Sequence, residues 1–213
     1  MPSTTAIPFF ESVAAAGVFA LILITGRVAA QTVVVANQPL RLELLGLASD
    51  DQEDRKGLSD AIKTNDREYE KRLMEKDAAR TLRLKAIIAD QGWPTAAVVG
   101  TDGVNAAWLV LQHSDDSVWQ KTMLPVLERA AAAGEMSRGD VALLTDRVFI
   151  RSGQPQRYGS SFSVVGSRMV ADPIEDESQV DVRRAEVGLP PMAEYARVLS
   201  EMYKMPVEWP RKK

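Results

Sequence analysis

The sequence predicts an α+β fold: a mainly helical single domain with a small antiparallel β-hairpin in its C-terminal half. Three observations carry that expectation. Between residues 40 and 150 apolar residues recur at helical spacing, as Leu40, Leu44 and Leu47 do. Glycines followed by polar or proline residues, Gly92 with Pro94 and Gly134, cut this stretch into separate helices. After Gly153 the period changes, and SSFSVVGSRMVADPI (160–174) reads as two short strands around Gly166-Ser167.

Taken in order, the first helix runs from Leu40 and fades near Gly57. A second, long helix covers 66–91, with a charged middle and one thin apolar face of Tyr69, Leu73, Leu82 and Ile87. WPTAAVVGTDG (93–103) reads as a connector. The next helix spans about 104–112, with Trp108 and Leu111 inward. Asp116 or Ser117 caps a helix that reaches Ala133 and contains Pro125. Ser137-Arg138-Gly139-Asp140 is a capping-box variant opening a helix over 141–150. GQPQRYG (153–159) is turn chemistry before the hairpin. Two last helices, 181–187 and 192–202, are separated by GLPP.

The composition narrows the function classes. The chain has 213 residues, 46% of them hydrophobic and 26% charged, as in an ordinary globular protein. A net charge of −3 argues against a nucleic-acid partner, which needs a basic footprint. No cysteine is present, which removes disulfides, thiolate zinc sites and cysteine nucleophiles. With a single histidine, no metal site is expected. GxGxxG and Walker A motifs are absent from the sequence, so no nucleotide cofactor is expected, nor any other cofactor.

The N-terminus carries a targeting signal. Residues 13–25, VAAAGVFALILIT, form an uninterrupted apolar run, and Val28 and Ala30 are the small residues that would direct cleavage before Gln31. The run lacks a basic residue ahead of Arg27. The alternatives are an uncleaved anchor over 7–25, the one route to the membrane, and a buried helix. The expected organisation is therefore a signal peptide or anchor at 1–30, a linker at 31–39, a globular domain at 40–205 and a tail at 206–213. The protein is expected to be exported, periplasmic or extracellular, or held at the membrane by that segment.

Several short motifs occur in a fixed order: LRLELL…DDQEDR (40–55), GWPTAAVVG (92–100), QHSDD (112–116), LLTDR (143–147), GQPQRYG (153–159), DPIED (172–176) and VDVRRAEVGLPP (180–191). Together they resemble a bacterial family of domains of unknown function, with the pattern LRxEL…DQxxR…GWPT…QHxD…LxDR…QxYGTQ…RRxxxGLP. The resemblance covers about residues 40–200. It implies a site map: Asp51, Gln52, Arg55, His113, Asp146, Arg147, Gln156 and Tyr158 are the polar members of the pattern. Ser160-Ser161 departs from the family's Thr-Gln, which puts any ligand contact of that glutamine in doubt here.

The residues also have readings of their own. Asp51 and Arg55 are spaced i, i+4, as in a surface ion pair. Asp146-Arg147 sits near a helix end, where Arg147 supports the dipole or forks onto an anionic ligand. Gln156 and Tyr158 share a face if the turn is extended, and Tyr158 alternatively anchors the core. His113 either closes its helix or acts as a general acid/base, with Asp115 or Asp116 orienting the ring. Two function classes follow. One is a binding or interaction module that grips a small-molecule or peptide ligand through Asp51, Gln52, Arg55, Asp146, Arg147, Gln156 and Tyr158. The other is a metal-independent hydrolase or lyase using His113 on an anionic or amide-rich substrate. A serine hydrolase is disfavoured because no G-x-S-x-G elbow occurs. Oligomeric state is not legible in the sequence.

Overall fold

A computed structural model describes residues 35–209 and the backbone of Val13–Ala14. Helices α1 (Gln38–Asp54), α2 (Leu58–Thr64), α3 (Arg67–Gln91), α4 (Ala96–His113), α5 (Ser117–Ala132) and α6 (Arg138–Arg151) form the larger part. A small sheet and helices α7 (Val180–Glu186) and α8 (Met192–Tyr203) follow. Strands β2 (Ser161–Val165) and β3 (Arg168–Ala171) pair antiparallel, with Phe162 opposite Ala171. Strand β4 (Val207–Glu208) joins β3 in parallel, making a three-stranded mixed sheet. The two residues of β1 (Val13–Ala14) add a short antiparallel strand at the outer edge of β2. The fold is α+β, with the expected hairpin.

Local chemistry explains where the helices start. Asn37, Asp66, Asp116 and Ser137 each cap a helix by accepting an amide from its first turn, as at Asp66, whose Oδ1 takes the Tyr69 N–H at 2.9 Å. Pro125 lies inside α5 and is exposed, so the hydrogen bond it forfeits opens toward water and the helix runs on.

Four elements differ from the expectations. Helix α2 and strand β4 were not anticipated, and β4 lies within the segment read as a tail. The connector 93–103 is partly helical, because α4 begins at Ala96 and bends at Gly100. There the backbone adopts φ 74°, ψ 162°, a region open to glycine alone. Leu82 is 67% exposed, and the inward residue of that turn is Leu84, fully buried.

Two apolar clusters hold the molecule. The larger joins Leu40 and Leu44, Leu84 and Ile87, Val104, Trp108 and Leu111, Leu127 and Leu144 from five helices. Removing one such leucine from water contributes about 1.5–3 kcal/mol. The smaller gathers Phe162, Met169, Val180, Met192, Leu199 and Tyr203 beneath the sheet. No described helix is long and apolar enough to cross a membrane. The apolar run 13–25, apart from the backbone of its first two residues, lies outside the described residues.

Candidate functional site

His113 is the last residue of α4, and its surroundings come from α1, α3 and α6. Asp51 and Arg55 lie one turn apart on α1 and both turn inward. Asp51 is fully buried, and the Arg55 side chain is 11% exposed. They are not a surface pair. Asp51 Oδ1 and Oδ2 lie 2.9 and 2.8 Å from His113 Nδ1. Arg55 Nη2 is 3.1 Å from Asp51 Oδ1 and donates to Asp77 Oδ2 at 2.7 Å. Gln52, exposed above, donates its side-chain amide to Asp51 Oδ2 at 2.9 Å.

The pair extends into α3. Arg80 donates to Asp77 Oδ1 at 2.8 Å and to Asp54 Oδ2 at 2.7 Å, and Lys76 also pairs with Asp54. Asp77 and Arg80 are buried. Neither is among the site residues expected from the sequence, where this helix shows a charged middle and one thin apolar face. The missed signal was their phase: Leu73, Asp77, Arg80, Leu84 and Ile87 form one inward stripe.

The proton on the ring is assigned from charge. Burial raises the Asp51 carboxyl, but the hydrogen bond and charge of His113, with Arg55 and Gln52, hold its pKa below the usual carboxylate value. An ionised carboxylate with both oxygens under 3 Å of Nδ1 requires a proton between them. Arg55 Nε approaches the same nitrogen at 3.0 Å and competes as a donor. The two carboxylate oxygens outweigh that single N–H, so Nδ1 carries the hydrogen and donates it to Asp51. Nε2 then holds a lone pair. It is buried and has no hydrogen-bond partner among the described residues.

Burial depresses the His113 pKa most, Arg55 and Arg147 add to this, and Asp51 opposes it, so the ring is neutral at pH 7. Arg147, buried on α6, is pushed down to about 9 by desolvation and by the charges of Arg151 and Arg55. The carboxylates next to His113 in sequence do not orient it. Asp115 pairs with Arg151 at 3.0 Å, and Asp116 caps α5 and pairs with Lys85 at 2.5 Å. After α4 ends at His113 the chain turns these side chains away, and a carboxylate 62 residues earlier takes the role.

The remaining members of the pattern meet elsewhere. Asp146 accepts the Arg157, Tyr158 and Ser160 amides at 2.8, 3.0 and 2.9 Å and the Ser160 hydroxyl at 2.8 Å. Gln156 donates to Ser161 O and Asp172 O, each at 2.9 Å, and accepts the Ser161 amide at 2.8 Å. Both are fully buried and engaged by internal partners, in a cluster separate from the Asp51–His113 pair. Tyr158 is half-buried, and its carbonyl accepts Arg184 Nη1 at 2.5 Å. Arg184, buried over the Tyr195 ring at 4.7 Å, locks this loop from the other side. Ser160 and Ser161 serve the same loop, through the Ser160 hydroxyl on Asp146 and the Ser161 amide on Gln156. Among the described residues, no group of three or more histidine or carboxylate side chains is arranged to hold a metal ion.

The fold and site define a helical α+β domain built around a buried aspartate–histidine pair flanked by arginines. The chain belongs to the family of unknown function DUF6624, whose family model matches residues 38–208. No curated protein and no solved structure matches it.

Proposed function

We propose that the domain binds a small ligand at His113, presenting Nε2 as a hydrogen-bond acceptor. One observation carries the reading: a buried imidazole nitrogen without a partner, on a ring whose other nitrogen is tied to a buried aspartate. Leaving a buried acceptor unsatisfied costs about 1–3 kcal/mol, which a ligand N–H or O–H would recover. Arg55 and Arg147 favour an anionic or amide-rich ligand at that point.

A second reading is catalytic, and the Asp51 contact favours it. A carboxylate that fixes the tautomer and stabilises the imidazolium equips Nε2 to take a proton from a bound substrate, as a metal-independent hydrolase or lyase requires. The test separates the two. His113→Asn keeps a donor toward Asp51 while removing Nε2. A panel of small carboxylic acids, amides and short peptides, followed by the single imidazole resonance and by turnover, should give binders that move the ring signal and fail against His113→Asn. Turnover lost in that variant selects the catalytic reading. Binders whose affinity is equal in wild type and variant overturn both readings, and so does a panel that leaves the ring untouched.

We also propose that the domain lies outside the cytoplasm, exported or held by the N-terminal segment, a reading supported by the apolar run 13–25 and the Val28–Ala30 spacing. Fractionation of cells expressing the full chain, with N-terminal sequencing, should give a mature protein starting at Gln31 or a membrane-bound full chain. A full-length protein free in the cytosol overturns it.

A further inference from the structure

The last turn of a helix leaves carbonyls without intrahelical partners, and a side chain on that turn is only as fixed as the turn itself. His113 closes α4, so the direction of Nε2 depends on how this end is held. No C-cap glycine holds it. Gln120, fully buried on α5, reaches back and donates its amide to Leu111 O, Gln112 O and Ser114 O at 3.0, 3.2 and 3.0 Å. Arg151 on α6 donates from Nη1 to Gln120 Oε1 at 3.1 Å and to Ser114 O at 3.3 Å. Its Nη2 meets Asp115 Oδ1 at 3.0 Å. The amide and the guanidinium together take up the carbonyls around His113 from two neighbouring helices.

We propose that Gln120 and Arg151 are positioning residues for His113: they clamp the end of α4 so that Nδ1 stays on Asp51 and Nε2 keeps its aim. This rests on the assignment of His113 as the working group. The clamp touches the ring only through the backbone. Its loss lets the last turn fray, exposes the imidazole and relaxes its contact with Asp51.

The experiment is a pH titration of the full chain by NMR, with the single histidine labelled at both ring nitrogens. Gln120→Leu keeps the volume and removes the amide. The expected result is a His113 pKa displaced by about half a unit or more toward 6.5, with a loss of the Nδ1–H tautomer. Gln156→Leu makes the same chemical change in the hairpin clamp and should lower Tm while leaving the ring at its wild-type values. If Gln120→Leu fails to fold, Arg151→Lys decides the question, because it keeps the charge and loses the two-pronged contact; a smaller shift in the same direction is expected. A Gln120→Leu or Arg151→Lys protein that melts earlier with an unaltered imidazole overturns the proposal. A wild-type ring lacking the Nδ1–H tautomer instead overturns the site assignment, and the clamp is still judged by the difference between variant and wild type.

Discussion

At the scale of single residues, Asp51 and Asp140 are informative for opposite reasons. Asp51→Asn leaves Arg55 buried beside a neutral amide and takes away the carboxylate that supports the His113 ring. The expected loss is about 3–5 kcal/mol, as for breaking a buried ion pair from one side, with the His113 pKa falling further; urea unfolding and NMR titration check the two. Titration itself should be visible in stability. The unfolded chain takes up a proton at His113 near pH 6.5 and the folded chain only below that. This contribution is therefore complete above about 6.5 and is lost as the pH falls toward the folded value. Asp140 works the other way. Burial raises its pKa from 3.8 to about 7, so the folded chain keeps a proton that the unfolded chain releases, and stability declines as the pH rises from about 4 to about 7. Asp140→Asn should abolish that decline and leave the His113 slope. An unchanged stability–pH profile in this variant would contradict the buried, protonated state. The candidate residues Asp51, Arg55 and His113 were legible through their shared motif pattern. Their partnership was not, because the two motifs lie far apart along the chain and only the packing of α1 against α4 brings them together.

At the scale of elements, helix α3 shows why charge content misleads. Its middle is mostly charged, yet the stripe Leu73, Asp77, Arg80, Leu84 and Ile87 faces inward, because each buried ion finds an opposite partner on α1 or α3. Placing Leu82 on the apolar face was an error of phase. Helix α4 taught the opposite lesson. Gly100 and Gly103 invited a loop, whereas the chain bends once at Gly100 and continues. A methyl group at Gly100 would lie 2.7 Å from Asp102 Oδ1 in addition to a strained backbone. Gly100→Ala should cost about 1–3 kcal/mol and loosen the Arg41–Asp102 ion pair that staples α1 to α4. Thermal unfolding of Gly100→Ala beside Gly134→Ala tests this, since Gly134 is also left-handed but its added methyl meets nothing. Equal losses would show that backbone strain alone is responsible.

At the scale of the whole molecule, the two apolar clusters communicate through a polar layer rather than through a shared core. Asp146 on α6 holds the 157–160 loop, Gln156 ties it to the hairpin, and Arg184 closes it from α7. Asp146→Asn, which turns an acceptor of four donors into a mixed amide, should raise hydrogen exchange at the Tyr158 and Ser160 amides at least tenfold, a cost of about 1.4 kcal/mol or more. Exchange there at the wild-type rate would mean that Arg184 suffices. The sequence announced this layer through its motifs and the hairpin through its alternating pattern, and the helical caps were plain. What stayed hidden was which polar residues face one another, since that follows from helix packing angles that no short motif encodes. The hairpin tip at Gly166-Ser167 offers a practical return. Both residues are exposed, and a methyl group at Gly166 would meet nothing. Because the chain has no cysteine, Ser167→Cys would create a unique thiol for a fluorophore or spin label, an optical handle on the sheet that leaves the histidine and its arginines untouched.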